Sequence, residues 1–291
     1  MAAKGSMASF IMCTHPGTAT TARLTHVLLP NYLAQYRTYS TSATSSGSSS
    51  AIATPDPRWL SSMKARLGYC ITFGINEAQT LRAGAILKEL TTDWRDFLAG
   101  GEGFLTQKGR RGLWRHEIFW GHVNNVKFNR WAESGRVQWT RNFAKADVEH
   151  CSQWSELDTP KGEGMILRSI RTDYKFPMMF PDRVTVLHKL HSEPKAGMDA
   201  FILDVLILSE RHQRPAARCV EDIVMYDYRV GKKCSLPLFM LAKFKETFQL
   251  QEAARAKYTA RAQEITRLVE QLENESWNRP DAAEDLGSAS S

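Results

Sequence analysis

The sequence predicts an α+β fold made of one strand, one buried helix and four further strands, in that order. An apolar and aromatic run at residues 113–120 ends at Gly121, where a strand is expected to turn directly into a helix. Large apolar residues then recur at roughly helical intervals, which indicates a buried helix: Val123, Val126, Trp131, Ala132, Val137 and Phe143. Four segments rich in β-branched and aromatic residues follow, separated by turn signals: residues 165–176, 183–191, 198–209 and 216–228.

The junction between the first strand and the helix is the segment Gly121-His122-Val123-Asn124-Asn125. The first N–H groups of a helix have no partner within the helix, and the helix dipole places partial positive charge there. The sequence therefore predicts oxyanion donors near His122 and Val123 that can hold a developing negative charge. The simpler interpretation is that Gly121 only lets the strand turn.

These elements resemble the hot-dog fold of acyl-CoA thioesterases and related dehydratases, in which an antiparallel sheet wraps around a central helix. Residues 121–125, followed by Phe128, Glu133 and Arg136, resemble the opening signature of the 4-hydroxybenzoyl-CoA thioesterase-like group. Later segments resemble further strands of that group: Tyr174-Lys175-Phe176-Pro177, Asp182-Arg183-Val184, and residues 224–228 through Pro237. The resemblance implies a hot-dog domain over residues 108–237.

Helical patterns flank this domain on both sides. Residues 55–107 are expected to form a helical extension, with helices over residues 56–67 and 76–97 and a flexible break at Gly100-Gly101-Glu102-Gly103. Residues 238–277 predict a long C-terminal helix, either a dimer-bridging coil or a surface helix interrupted near Phe248. Residues 278–291 are expected to be a disordered tail.

The N-terminal segment has the composition of a mitochondrial transit peptide. Residues 1–53 contain Lys4, Arg23 and Arg37 but no Asp or Glu, and Ser and Thr crowd residues 38–50. Residues 37–40, Arg-Thr-Tyr-Ser, also resemble the context of matrix-peptidase cleavage. We therefore expect a transit peptide at residues 1–39, a disordered linker at residues 40–54 and a mature protein in the mitochondrial matrix. A disordered Ser/Thr-rich tail without a targeting role is the alternative.

Charge, hydropathy and cysteine spacing narrow the class of protein. Without the three positive charges of the N-terminal segment, the formal net charge falls from +7 to +4, which does not require nucleic acid but suits an anionic acyl-CoA ester. No run reaches the ~18 apolar residues of a membrane span. The cysteines are expected to be free thiols, because they form no close pair and no metal-binding spacing: Cys13, Cys70, Cys151, Cys219 and Cys234. No cofactor and no metal are expected.

The resemblance implies thioester hydrolysis, which needs a stabilised oxyanion and a group that activates water or attacks the carbonyl. Many relatives carry an aspartate three residues before the glycine, but this chain has Ile118 there. Another branch places a glutamate about two turns into the central helix, where this chain has Asn and Arg at residues 129–130. Glu117 is expected on the opposite face of the strand. Glu133 is expected to form an ion pair with Arg136 or Arg130.

His122 is then the titratable group best placed for catalysis, since a neutral imidazole can accept a proton from water. The alternative is that His122 only forms a hydrogen bond to the neighbouring strand. Asn124 and Asn125 either orient water or the thioester carbonyl, or they cap the helix.

Two classes of function follow from the resemblance. The first is hydrolysis of an acyl thioester, with acyl-CoA or another acyl carrier as substrate. The second is a catalytically silent hot-dog protein that binds acyl chains or acts as an assembly partner. Ile118 and the helical extensions favour the second class, while the retained Gly-His-Val-Asn-Asn favours the first. A dehydratase is a third alternative, and a homodimer is expected because hot-dog sheets commonly pair.

Overall fold

A computed structural model describes Asp56, residues 58–119 and residues 121–282 of the 291-residue chain. The predicted transit peptide and linker lie outside the described residues, as does most of the predicted tail. The described elements, in chain order, are α1 (Trp59–Thr72), α2 (Glu77–Thr92), a π-helical turn (Asp96–Gly100), β1 (His116–Glu117), α3 (Asn125–Ala146), α4 (Cys151–Glu156), β2 (Glu163–Tyr174), β3 (Arg183–Leu190), β4 (Ala200–Ser209), β5 (Arg214–Asp227), β6 (Lys232–Lys233) and α5 (Leu238–Glu275). None of these helices is both long enough and apolar enough to cross a membrane.

The strands form an antiparallel sheet in the order β1-β3-β4-β5-β2, with β6 paired to β5. The four long strands coincide closely with the four predicted segments, and the α+β fold with an antiparallel sheet and a central helix is confirmed. The first strand is much shorter than predicted, since only His116 and Glu117 pair with β3. Arg115 has a φ of +49°, a left-handed conformation that interrupts the extended chain before these two residues.

The central helix α3 packs against one face of the sheet. Its buried side includes Phe128, Trp131, Trp139 and Phe143, as expected for a helix that is covered along most of its length. Val126 is exposed, contrary to the predicted pattern, because the first turn of α3 faces solvent. The predicted buried helix therefore begins to be covered only from its second turn.

Helices also cover the opposite face of the sheet. Val186 on β3 packs in the cluster around the first half of α3, whereas its neighbour Leu187 packs with α1, α2 and the C-terminal half of α5. On β4, Ile207 packs in the cluster around α3, and its neighbour Leu206 packs with α1, α2 and the C-terminal half of α5. Because alternate side chains of a strand point to opposite faces, both faces of β3 and β4 are buried, which accounts for their nearly continuous apolar sequence.

The C-terminal helix α5 is one continuous helix, so the predicted interruption near Phe248 is wrong. Its first half packs on the sheet and α3, and its second half packs on α1 and α2, so burial on both halves stabilises the whole length. The side chain of Gln251 accepts a hydrogen bond from the Leu190 N–H at 2.9 Å and donates one to the Leu190 carbonyl at 3.0 Å. These two bonds complete the backbone pairing of β3 at its far end.

The glycine-rich segment before the first strand is not a flexible break. Gly100 is buried, and a Cβ at this position would overlap the ring of Tyr258 on α5. Phe104 and Leu105, directly after the segment, are also buried. The glycine therefore permits close packing against α5, a role that composition alone cannot distinguish from flexibility.

Gly135 gives a direct test of how closely α3 approaches the sheet. A Cβ on Gly135 would lie 2.8 Å from Cε1 of His188 and 2.9 Å from Cγ1 of Val186. We expect Gly135→Ala to lower the free energy of unfolding by about 1–3 kcal/mol, measured by urea denaturation, because both neighbours are in the packed core. Gly84→Ala on α2 is the control: nothing lies within 4 Å of its Cβ position. It should be neutral or stabilising by roughly 0.5–1 kcal/mol, and equal behaviour of the two variants would contradict the close packing.

Candidate functional site

The start of α3 is fixed by its first asparagine. Asn124 has an extended backbone, and its side-chain oxygen accepts a hydrogen bond from the Val126 N–H at 3.0 Å. Its carbonyl accepts another from the Lys127 N–H at 2.9 Å. Of the two roles predicted for Asn124, the structure therefore shows helix capping. The N–H groups of Asn124 and Asn125 have no acceptor among the described residues.

Residues 121–123 form a short antiparallel bridge with residues 178–180. The Val123 N–H donates to the Met178 carbonyl at 3.0 Å, and the Phe180 N–H donates to the Gly121 carbonyl at 2.9 Å. The Val123 N–H, which was predicted as an oxyanion donor, is therefore bonded to Met178 in this structure. The open donors lie one to two residues further along, because α3 begins at Asn125.

Gly121 is not required by the backbone at this junction. The φ angle of Gly121 is not in the positive region, and nothing lies within 4 Å of the position that its Cβ would occupy. The predicted importance of Gly121 for the turn therefore has no steric support in this structure.

His122 and Asn125 line one cavity of about 280 Å³ at the start of α3. The other lining residues are mostly apolar or aromatic: Val123, Phe128, Tyr174, Lys175, Phe176 and Pro177. His122 is exposed, and its ring forms no hydrogen bond to any described residue, so the alternative of a bond to the neighbouring strand is not what the structure shows. The Tyr174 hydroxyl lies 3.4 Å from the Asn125 carbonyl and narrows the cavity. Tyr174, Lys175 and Phe176 stood in the recognised motif, but their proximity to His122 was not predicted.

Ile118 does not line the His122 cavity. It is buried in the same apolar cluster as Val123 and Trp131, and it borders a separate cavity of about 550 Å³. Its neighbour Glu117 is exposed and forms an ion pair with Arg183 at 2.8 Å. Within one chain, the position that lacks the family carboxylate therefore does not share a cavity with His122.

Two carboxylates beside Ile118 were not predicted as site residues. Asp182 accepts hydrogen bonds from the Ser209 hydroxyl at 2.5 Å and from the Arg211 N–H at 2.9 Å. Glu210 forms an ion pair with Arg95. Both carboxylates are bonded to neighbouring residues around this cavity in this structure.

A buried charged cluster lies between the middle of α3 and the sheet. Nη1 of Arg136 lies 2.5 Å from Oε1 of Glu221, which is fully buried, and Oε2 of Glu221 lies 3.7 Å from Nε2 of His188. Burial raises the pKa of Glu221 and lowers the pKa of His188 to about 3. The predicted ion pair of Glu133 with Arg136 or Arg130 is not formed among the described residues, and Arg136 instead reaches across to Glu221 on β5.

The described part of the chain contains no candidate metal cluster, and its cysteines are unpaired. No group of three or more His, Cys, Asp or Glu side chains is arranged there to hold a metal ion. Cys70, Cys151, Cys219 and Cys234 are free thiols, as predicted, and Cys13 lies outside the described residues.

An antiparallel sheet packed around a central helix is the arrangement of a hot-dog protein. The family model of the thioesterase-like superfamily matches residues 90–244, more than half of the chain. The chain therefore belongs to this superfamily. No curated protein matches the sequence.

Several solved structures are similar to this chain. One is a thioesterase complexed with coenzyme A and Zn from Thermus thermophilus, with 17% identity and a TM-score of 0.38, covering 49% of this chain and 98% of that one. The probable thioesterase YbaW from Escherichia coli has 18% identity and a TM-score of 0.32, covering 48% and 94%. The DHNA-CoA thioesterase from Staphylococcus aureus has 15% identity and a TM-score of 0.35, covering 50% and 90%. The family assignment rests on the sequence match.

Proposed function

We propose that this protein hydrolyses an acyl thioester, with acyl-CoA as substrate, at the start of α3. The observation that carries the proposal is that His122 and Asn125, at the N-terminus of α3, line one cavity. Membership of the thioesterase-like superfamily supports thioester chemistry in general. The aromatic walls given by Phe128 and Tyr174 offer an apolar surface for the acyl part of the substrate.

The mechanism assigns one role to each group. His122 accepts a proton from a water molecule, whose oxygen attacks the thioester carbonyl carbon. The carbonyl oxygen becomes an oxyanion, which the N–H groups of Asn124 and Asn125 and the positive end of the helix dipole stabilise. The intermediate then breaks its C–S bond, and the leaving thiolate takes the proton from His122. The products are the free acid and the thiol.

The second candidate is a silent protein that binds acyl chains or acts as an assembly partner. The specific observation that favours it is Ile118, an apolar side chain that is buried where many relatives carry the catalytic carboxylate. A buried isoleucine there packs with Val123 and contributes to stability rather than to chemistry.

We further propose that the active form is a homodimer. Several large apolar side chains near β1 and the start of α3 are exposed in the single chain: Phe119, Val126, Met179 and Phe180. Pairing of two copies at this face would cover them and would bring groups of one chain next to the His122 cavity of the other. This provides a route by which a second chain completes a site that one chain forms only in part.

A mitochondrial matrix location also remains a proposal. Its support is the composition of residues 1–53, which are basic, free of Asp and Glu and rich in hydroxyl residues.

The test of the proposed function compares the wild type with Ile118→Asp on a panel of acyl-CoAs in the presence of a thiol reagent. We expect the wild type to hydrolyse at least one acyl-CoA, and Ile118→Asp to leave this turnover unchanged or raise it. A cost in stability is expected, because the new carboxylate enters an apolar cluster. Ile118→Asn is the matched control, since asparagine has nearly the same shape as aspartate but carries no charge. An inactive wild type combined with a gain of activity in Ile118→Asp, but not in Ile118→Asn, would identify the chain as a silenced relative.

A further inference from the structure

A strongly basic cavity of about 880 Å³ lies between the N-terminal helix α1 and the β4–β5 hairpin. Five of its lining side chains are Lys or Arg, and none is acidic: Arg58, Lys64, Lys175, Arg214 and Arg218. Its volume lies in the range of small-molecule sites. Residues 58–64 precede the segment that matches the superfamily, so the extension builds one wall of this cavity.

Among the described residues, most of this positive charge has no ion-pair partner. Arg218 is the exception there, since it forms two hydrogen bonds to Glu102 at 2.7 and 2.5 Å. Lys64 bonds to the amide oxygen of Gln213 rather than to a carboxylate, and burial lowers the pKa of its ammonium group. Arg58, Lys175 and Arg214 have no ion pair among the described residues. Maintaining these like charges together costs free energy, which an anionic ligand would recover.

The cavity also contains an aromatic element. The guanidinium of Arg214 lies 3.9 Å from the centre of the Phe176 ring, and the ring of His212 meets Phe176 edge-on at 5.2 Å. Aromatic rings and planar guanidinium groups are the surfaces on which nucleobases stack. The first turn of α1, at Leu60 and Ser61, also faces the cavity and adds the positive end of a helix dipole.

We propose that this cavity binds a phosphorylated nucleoside, with the phosphates held by Lys64, Arg214 and their basic neighbours and the base stacked at Phe176. Several unpaired cations match a ligand with more than one phosphate charge, and the aromatic pair matches its base. The ligand has two candidate sources. It is either the nucleotide end of a CoA thioester or a free nucleotide that regulates the protein. Lys175 and Phe176 line both this cavity and the His122 cavity, so one extended ligand would reach both.

Calorimetric titration of the full chain with adenosine 3′,5′-bisphosphate, the nucleotide part of CoA, tests the site. We expect binding that Lys64→Gln and Arg214→Gln each weaken about tenfold or more, the effect of losing one charge-assisted hydrogen bond. Phe176→Leu should weaken the binding of the bisphosphate but not the binding of inorganic phosphate. Lys245→Gln on the exposed side of α5 removes the same charge elsewhere and should bind like the wild type. Absence of binding, or equal weakening by Lys245→Gln, would overturn the proposal.

Kinetics distinguish the two sources. If the nucleotide belongs to the substrate, Lys64→Gln raises KM for acyl-CoA but leaves hydrolysis of the matching acyl-N-acetylcysteamine thioester unchanged, and the bisphosphate competes with acyl-CoA. If it is a separate regulator, the bisphosphate changes the hydrolysis of both thioesters. Either pattern supports the site. Binding is measured without turnover, so a failure of the nucleotide site and a failure of the proposed hydrolysis give different results.

Discussion

Arg136→Met is expected to lower the free energy of unfolding by about 3–5 kcal/mol, the cost of leaving one partner of a buried ion pair alone. Arg136 lies 2.5 Å from Glu221, a side chain with no exposed surface, and Oε2 of Glu221 has no hydrogen bond among the described residues. Methionine retains most of the aliphatic stem, so the loss reports the charge rather than the packing. Urea denaturation at neutral pH measures it.

The loss of folding stability in Arg136→Met should increase as the pH rises. Burial raises the pKa of Glu221, and removal of Arg136 leaves no cation to oppose this rise. The folded variant then binds more protons than the unfolded chain, so its stability falls as the pH rises above the ordinary pKa of a glutamate. The destabilisation by Arg136→Met should therefore be larger at pH 8 than at pH 5.

Two further variants serve as controls for the ion pair. Arg136→Met combined with Glu221→Leu should recover most of the loss, because an apolar pair leaves no buried charge. Arg229→Ala, which breaks an exposed pair with Asp227, should have no measurable effect. A loss that is the same in the single and the double variant would show that the methionine disturbs packing rather than electrostatics.

The positions of the long strands were predictable from the sequence because both faces of the sheet are buried. Segments such as residues 183–191 and 198–209 are therefore apolar at most positions, and turn residues bound each of them. The two-sided burial itself was not predicted, since it depends on α1, α2 and α5 reaching the second face. The continuity of α5 through Phe248 has the same origin, because successive partners along its length exist only in the folded chain.

The candidate site was predictable only at the level of its local segment. Asn124 is a strong helix-capping residue, so the start of α3 could be placed to within a few residues. The hydrogen bond from the Val123 N–H to the Met178 carbonyl could not be predicted. The path of the long chain between these two residues determines which carbonyl lies opposite the Val123 N–H. Glu221 carried no signal either, since a single glutamate in an apolar strand does not reveal its partner 85 residues away.

His122→Ala is expected to lower kcat for the best acyl-CoA substrate by about 10²-fold or more, the usual contribution of a general base. The variant removes the imidazole that lines the cavity at the start of α3. Its stability should be close to that of the wild type, because His122 is exposed and its ring bonds to no described residue. A steady-state assay together with a denaturation curve separates the loss of chemistry from a loss of folding.

The matched control is His116→Ala, which removes an exposed histidine on β1 that does not line this cavity. It should retain wild-type turnover. The pH profile adds a second readout, since loss of the base should abolish the acidic limb of kcat/KM in His122→Ala but not in His116→Ala. Turnover that survives His122→Ala with an unchanged profile would remove histidine from the mechanism. The base would then be Glu117 or a residue of a second chain, and the helix start would act only through its N–H groups.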